Sequence, residues 1–341
     1  FYRGLLERLA PLRDVEAVGA VHNRPLAHGP IGSDDFVLAE GWPLDLASVT
    51  AQEVSVNWEP ATPDYFRAIG TRLLAGRTFS AHDTKDATKV VVVSAGLAHR
   101  LWPGENALGK RLHTSGAKSD LVDGRFVNVE WQTVVGIVED ARYRGVQNPR
   151  HDVFLAPEQT SAGLQHVVVR TSGDPLALTA VVREQVRALD AEATVDDVAT
   201  MSGVVDRALV PWRFASLLLT VFAAGALLLT ASGLFAVLQH FVSGRTREIA
   251  IRMALGAEPR RVRRFVLAQG IGVTALGLGL GLALSAALVR LLAALLYGVP
   301  AGDPWSYLGG ALVIAVVSAL ASLWPARRAG RVDATLALRS D

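Results

Sequence analysis

Three long stretches near the end of the chain contain no Asp, Glu, Lys or Arg. They cover residues 214–244, 265–289 and 304–326. A helix needs about 20 apolar residues to cross the hydrocarbon layer of a membrane. Each stretch is long enough, so the pattern predicts three membrane-spanning helices at about 214–242, 265–297 and 304–325.

The charges between these stretches predict their orientation. The link between the second and third spans, residues 298–303, has no Lys or Arg. The link between the first two spans and the tail after the third are rich in arginine: Arg245, Arg247, Arg252, Arg260, Arg261, Arg263 and Arg264, then Arg327, Arg328, Arg331 and Arg339. Because positive charge stays on the cytoplasmic side, the first link and the tail are predicted to be cytoplasmic. Residues 1–212 then lie outside.

The first 212 residues have the pattern of a mixed α/β domain. Alternating or continuous apolar positions predict strands at 54–58, 90–93, 131–139, 152–156 and 166–170. Capping residues predict helices over 62–70, over 94–102 and from 174 onward. Residues 194–198 are predicted to form a strand that completes a βαβ unit. The predicted fold class is therefore an α+β extracytoplasmic domain, residues 1–212, followed by an all-α transmembrane bundle of three helices, residues 213–341.

Charge and composition follow the same division. Residues 1–212 carry 21 basic and 27 acidic residues, net −6, whereas residues 213–341 carry 13 and 5, net +8. The sequence pI near 9.1 is therefore poor evidence for nucleic-acid binding, because no single surface carries the charge. The chain has no cysteine, which excludes disulfides, zinc–thiolate sites and cysteine nucleophiles.

Catalytic motifs are weak in the outer region. Residues 104–111 come within one residue of a phosphate-binding P-loop, but Arg111 stands where Ser or Thr would hold Mg²⁺. His82 and Asp83 are adjacent, yet the histidines show no metal-binding spacing. We therefore assign no catalytic residue and no metal ligand, and we expect a protein that is not an enzyme.

The spans carry two further signals. No Asp, Glu, Lys or His lies in mid-span, which argues against an ion-coupled pore. Gly277 and Gly281 form a GxxxG pattern in the second span. The pattern favours close packing on a partner helix, although membrane helices also tolerate glycine without such a role.

The most distinctive segment lies in the first cytoplasmic link, residues 243–264. At helical spacing Glu248 pairs with Arg252 and Ile249 stacks on Met253. Gly256 is a C-cap, and Pro259 begins the next helix. The pattern predicts a short amphipathic helix whose apolar side docks in a partner's groove or lies on lipid headgroups.

Residues 247–257, which read REIAIRMALGA, strongly resemble the cytoplasmic loop of ABC-transporter permeases of the MacB/FtsX type. Residues 62–70, 74–79, 101–111 and 134–140 resemble the periplasmic core domain of the same family. The chain is most similar to the large duplicated permeases of this type, which carry two such halves in one polypeptide. The resemblance covers nearly the whole sequence.

This resemblance implies a function and a set of residues. The chain would be a permease, or half of one, driven by a separate cytoplasmic ABC ATPase that binds ATP and Mg²⁺; this chain would bind no cofactor. Its partners would be that ATPase, a second permease half or an identical copy, and a periplasmic adaptor in some relatives. The resemblance assigns the ATPase contact to the coupling loop, that is Arg245, Arg247, Glu248, Ile249, Arg252, Met253, Gly256 and Ala257.

The resemblance also implies the location and the missing parts. It places the chain in the bacterial cytoplasmic membrane with residues 1–212 in the periplasm. An inserted subdomain is expected at about residues 30–130. A further helix is expected before the outer domain, so the chain is interpreted as part of a longer protein.

Two other functions stay open from the residues themselves. The chain could be a membrane-anchored extracytoplasmic binding or sensor module, with the arginine-rich link acting only as a topology signal. It could also be a membrane-tethered hydrolase that uses the outer acids and histidines, with His82 and Asp83 as the first residues to test.

Overall fold

A computed structural model describes residues 1–26, 34–52, 54–142, 151–245, 248, 251, 259–292 and 304–329. The chain divides into two compact units, Phe1–Val210 and Pro211–Asp341. We call them the outer unit and the membrane unit.

The described part of the outer unit is built from short strands and short helices. The strands are β1 (Val15–Val21), β2 (Asp34–Ala39), β3 (Ser55–Pro60), β4 (Leu73–Gly76), β5 (Val90–Ser94), β6 (Arg111–Thr114), β7 (Asp120–Val122), β8 (Arg125–Val127), β9 (Gln132–Val138), β10 (His151–Leu155) and β11 (His166–Thr171). The helices are α1 (Tyr2–Leu9), α2 (Leu46–Gln52), α3 (Tyr65–Ile69), α4 (Ala95–Leu101) and α5 (Thr179–Leu189). Short 3-10 helices cover Pro157–Gln159 and Pro175–Leu178.

Six strands close into a ring. The sheet order is β4-β9-β5-β10-β3-β2-β6, and β9 also pairs with β6. Strand β9 pairs with two strands along the same edge. Its residues Gln132 and Thr133 pair with β6, whereas Gly136–Val138 pair with β4. The ring is therefore β9-β5-β10-β3-β2-β6, and β4 lies outside it.

The ring encloses the main hydrophobic core. Each of its strands contributes buried apolar residues to one cluster, including Val37, Val56, Val93, Leu112, Val134 and Val153. Helix α4 adds Leu97, Leu101 and Trp102 to the same cluster. Side chains alternate between the two faces of a strand, so Val91 and Val93 face this core while Val90 and Val92 join a second one.

Two further hydrophobic cores lie on the face of the sheet that is turned away from the main core, one layer beyond the other. Val92 and Phe154 pack with Tyr65 and Phe66 of α3. The antiparallel pair β1–β11 lies next to α3, and its Gly19 is so close that a Cβ there would be 2.3 Å from the Cα of Tyr65. Helices α1 and α5 complete a third cluster with Leu5, Leu9, Val18 and Val186.

Most of the predicted elements are confirmed, but the predicted βαβ unit is wrong. Strand β11 is followed by α5, yet residues 194–198 form no strand. Instead β11 pairs with β1, in the antiparallel direction. Asp197 adopts φ +47°, a left-handed conformation that an extended strand cannot include.

The membrane unit contains three long apolar helices, which confirms the predicted spans. They are α6 (Met201–Gly244), α7 (Pro259–Leu292) and α8 (Pro304–Ala329). Each is long and apolar enough to cross a membrane. Helix α6 begins 13 residues before the predicted span at 214, and Pro211 lies within it. Residues 293–303, including the end of the predicted second span, lie outside the described residues.

Candidate functional site

The predicted coupling loop is described only in part. Arg245 follows the end of α6, and its N–H donates to the carbonyl of Val242 at 3.2 Å. Glu248 and Ile251 have helical backbone, and both side chains are exposed. The remaining predicted contact residues, Arg247, Ile249, Arg252, Met253, Gly256 and Ala257, lie outside the described residues. Their assignment stays a prediction.

The first residue of the loop is held against the membrane helices. The guanidinium carbon of Arg245 lies 4.7 Å from the centre of the Phe241 ring. That ring in turn lies 5.9 Å from the ring of Phe265 in α7. A cation–π contact of this kind contributes about 0.5–1 kcal/mol when exposed. The two aromatic residues bring the ends of α6 and α7 together at the position where the loop leaves the bundle.

The three membrane helices meet one turn deeper, around Gly270. Leu234, Leu238 and Val242 form a buried row on α6 at a spacing of four residues. A Cβ at Gly270 would lie 2.9 Å from the Ser322 Oγ of α8 and 3.3 Å from the Leu238 Cδ1 of α6. Ser322 is buried, and its hydroxyl donates to the Ser318 carbonyl at 2.7 Å. The absence of a side chain at Gly270 therefore allows the helices to approach.

The predicted packing residues Gly277 and Gly281 lie elsewhere. Both are exposed, and a Cβ at either position would meet no described atom within 4 Å. Among the described residues they make no helix contact within the chain, so a packing role would need a helix from another part of the assembly. Sequence reasoning missed Gly270 and the Ser318–Ser322 pair, although two serines four residues apart in an apolar span were a usable signal.

The near P-loop is a turn. A phosphate-binding loop follows a strand and begins a helix, whereas residues 102–110 follow helix α4 and lead into strand β6. Gly104 and Gly109 have φ near +80°, and the Lys110 Nζ donates to Glu105 at 2.6 Å. Arg111 pairs with Glu40, which directly follows the neighbouring strand β2. These side chains are used to shape and fasten the turn, as the sequence predicts.

The His82–Asp83 pair is also structural in this part of the chain. Asp83 is buried and accepts from both terminal nitrogens of Arg77, at 2.7 and 2.8 Å, and from the Ser80 N–H at 2.7 Å. The Arg77 hydrogen bonds, followed by that of Ser80, hold the pKa of Asp83 below its usual value. No group of three or more metal-ligating side chains is present in the described residues.

Two family models match consecutive parts of the chain. Residues 9–199 match the MacB-like periplasmic core domain, and residues 220–334 match the FtsX-like permease C-terminal domain. The periplasmic model alone covers more than half of the chain, and the two matches follow the division into outer and membrane units.

The chain is similar to proteins named as export ATP-binding/permease proteins. The chain is 28% identical over 237 residues to the probable syringafactin export ATP-binding/permease protein SyfD of Pseudomonas syringae pv. tomato, covering 66% of this chain and 33% of that protein. It is 26% identical over 305 residues to the macrolide export ATP-binding/permease protein MacB of Wolinella succinogenes, covering 85% and 44%. The chain thus spans less than half the length of these relatives.

Among solved structures, the periplasmic region of MacB from Actinobacillus actinomycetemcomitans aligns with 55% of this chain and 73% of that structure, at 16% identity and a TM-score of 0.36. The sequence matches rather than this alignment establish the relationship. The chain belongs to the ABC-transporter permease family that joins a MacB-like periplasmic core domain to an FtsX-like permease domain.

Proposed function

We propose that this permease couples ATP hydrolysis by a separate cytoplasmic ABC ATPase to movement of its outer domain, for efflux or mechanotransmission. One observation carries the proposal. Helix α6 is a single element of 44 residues that starts in the outer unit and ends at the coupling loop. At 1.5 Å per residue it is about 66 Å long, which is enough to connect the two sides of a membrane with length to spare.

We assign the motor to an ABC ATPase because of what the relatives are named. The relatives are named as combined ATP-binding and permease proteins. In this chain the one segment similar to a P-loop is a turn without the Ser or Thr that holds Mg²⁺. ATP and Mg²⁺ would therefore bind to the ATPase, and this chain would transmit the work.

The coupling loop is proposed as the ATPase contact. The exposed side chains of Glu248 and Ile251 supply a charge and an apolar surface on the described helical backbone. The contact of Arg245 with Phe241 would hold Arg245 against α6. A displacement of the loop by the ATPase would therefore be passed to this helix. The charge distribution supports a cytoplasmic loop and a periplasmic outer unit in the bacterial inner membrane.

The assembly is proposed to contain two permease halves, as the resemblance to the duplicated permeases implies. The second half would be another copy of this chain or a similar region of the same protein. A periplasmic adaptor is a further proposed partner. The relatives' macrolide and syringafactin cargoes belong to those proteins, and we assign this chain no cargo.

The absence of cysteine allows a direct test of the ATPase contact. A single cysteine replaces Ala257 in the full-length protein, a crosslinker is applied to intact cells, and the adduct is identified by mass spectrometry. We expect an ABC ATPase in the adduct. Glu248→Lys should abolish that adduct, whereas Glu258→Lys, a charge reversal in the same loop outside the proposed contact, should leave it.

The opposite result has a defined meaning. If the thiol introduced by Ala257→Cys reacts with cytoplasmic reagents but captures no ABC ATPase, the loop is only a topology signal. The sensor function would then replace the coupling function. A thiol that reacts only with reagents added outside the cell would contradict the proposed orientation.

A further inference from the structure

Asp197 lies at the junction between the body of the outer unit and the start of α6. One carboxylate oxygen pairs with the guanidinium of Arg24, which follows β1. The other lies 3.2 Å from the Nη1 of Arg207 in α6. The carboxylate therefore bridges a residue 173 positions earlier in the chain to a residue ten positions later in the helix.

The local backbone holds this carboxylate in place. Asp197 has φ +47°, a left-handed conformation that redirects the chain just before the helix. Three residues later, Thr200 begins α6: its Oγ1 accepts from the Gly203 N–H at 3.1 Å and its carbonyl accepts from the Val204 N–H at 3.0 Å. Hydrogen bonds from Arg24, and then from Arg207, keep the pKa of Asp197 below its usual value, so it is ionised at neutral pH.

A weak point in the helix follows directly. Pro211 has no N–H, so the carbonyl of Arg207 loses the hydrogen bond that an uninterrupted helix would give it. The division between the outer and membrane units falls at this proline. Arg207 therefore has two roles. Its side chain pairs with Asp197 and anchors α6, and its carbonyl is the point where the backbone hydrogen bonds of the helix are interrupted.

We propose that Asp197 clamps the outer end of α6 to the body of the outer domain through Arg24 and Arg207, so that movement of the membrane helix is passed to the end of β1. This inference rests on the proposed function and adds a positioning residue to it. With the clamp closed, residues 201–210 move together with the body of the outer domain. With the clamp open, those residues swing about the link at 198–200, and the movement is not passed on.

The first experiment measures the clamp without any ATPase. Two nitroxide labels are attached to cysteines that replace Arg183, exposed on α5, and Val210, exposed at the outer end of α6. Their distance distribution is recorded by pulsed electron paramagnetic resonance on the full-length protein in lipid nanodiscs. Asp197→Asn should broaden the distribution and raise the detached population about fivefold, the factor expected when two exposed ion pairs of ordinary strength are lost.

Matched variants separate the charge from a general loss of structure. Arg207→Gln should act like Asp197→Asn, whereas Arg207→Lys, which keeps the charge, should retain most of the wild-type distribution. Glu139→Gln removes a different exposed ion pair of the outer domain, the one with Arg72, and should change nothing. Raising salt to about 1 M shortens the screening length to about 3 Å, so it should broaden the wild-type distribution but not that of Asp197→Asn.

A second measurement tests transmission. The labelled protein is reconstituted in proteoliposomes with the ABC ATPase identified by crosslinking, and the distance between the labels at positions 183 and 210 is measured before and after ATP is added. In the protein with the wild-type clamp the change should be small, because the clamp keeps the two labels together. In Asp197→Asn it should be large, because the helix moves and the outer domain does not follow.

The clamp is contradicted if Asp197→Asn and Arg207→Gln leave the distance distribution unchanged at low salt. Transmission is contradicted if the ATP-driven change is equally large in wild type. A failure of the proposed function looks different: the membrane helix would show no ATP-driven movement in any variant, while the salt-sensitive distance distribution would still confirm the clamp.

Discussion

Several polar side chains in the described part of the outer unit fasten turns and strand ends. Asp83 is the clearest case, since its side chain is only 6% exposed and accepts hydrogen bonds from Arg77 and Ser80. The sequence left this carboxylate open as a metal ligand or catalytic acid beside His82. The structure uses both of its oxygens for the guanidinium instead.

Replacement of Asp83 by Asn should therefore destabilise the outer unit. An amide keeps the shape but loses the charge-assisted bonds, and we expect a loss of about 1.5–3 kcal/mol. Hydrogen exchange of the full-length protein, followed in peptides that cover residues 77–94, measures the opening free energy. Asp86→Asn, an exposed change in the next turn of the chain, is the control. Equal protection in the two variants would contradict the role of Asp83.

The same carboxylate predicts a dependence on pH. Its pKa is below the usual value in the folded state because Arg77 and Ser80 donate to the charged form. The stabilisation is therefore complete above the unfolded pKa of about 4 and is lost as the pH falls through the lower folded value. Wild type should lose protection of residues 77–94 in this acid range, and Asp83→Asn should lose less over the same range.

At the scale of elements, Gly270 marks a point of close approach between the membrane helices. Gly270 faces Leu238 of α6 and Ser322 of α8, while Gly277 on the same helix faces no described atom. Gly277 belongs to the GxxxG pattern and Gly270 does not, yet among the described residues it is Gly270 that the other helices approach. This contrast makes them a matched pair for testing the packing.

Gly270→Val should weaken the packing of the three helices. Its side chain would enter the space beside the Ser322 hydroxyl, and overpacking of this kind costs about 1–3 kcal/mol. The protein is heated, and the remaining monodisperse peak is measured by size-exclusion chromatography. The temperature at which half of this peak is lost should fall for Gly270→Val. For Gly277→Val in monomeric protein it should stay near that of wild type, and a fall of similar size would contradict the assigned packing.

The sequence predicted the elements that carry their own local signals. The helix after Asp174 begins with a side chain that accepts from the Leu176 N–H, and Gly70 ends α3 in the left-handed conformation that glycine favours. The four-residue strands β4 and β6 were not predicted, because they are too short to show a pattern. Their positions depend on β9, which pairs with both.

Long-range pairing explains the remaining differences. Strand β1 went unrecognised because its partner β11 lies about 150 residues further along the chain. Residues 194–198 have a strand-like composition, but the left-handed Asp197 and its two arginines hold them in another conformation. For the candidate site, the coupling loop was assigned through the resemblance of residues 247–257, and that assignment stays a prediction. The GxxxG pattern selected Gly277 and missed Gly270, because the contact of Gly270 depends on the neighbouring helices.

The whole molecule combines a layered outer unit with three long apolar helices, and α6 belongs to both. The ring of strands and the β1–β11 layer contain buried cores. Helix α6 begins in the outer unit and ends at Gly244, just before the arginine-rich loop. We propose that this helix passes movement of the loop to the outer domain.

The central claim, that the loop receives work from an ABC ATPase, is tested most directly by ATP turnover of the two proteins reconstituted together in proteoliposomes. The account predicts that the wild-type permease stimulates turnover, that Glu248→Lys abolishes the stimulation, and that Glu258→Lys preserves it. Turnover that is the same with and without the permease, or that is unaffected by Glu248→Lys, would contradict the account.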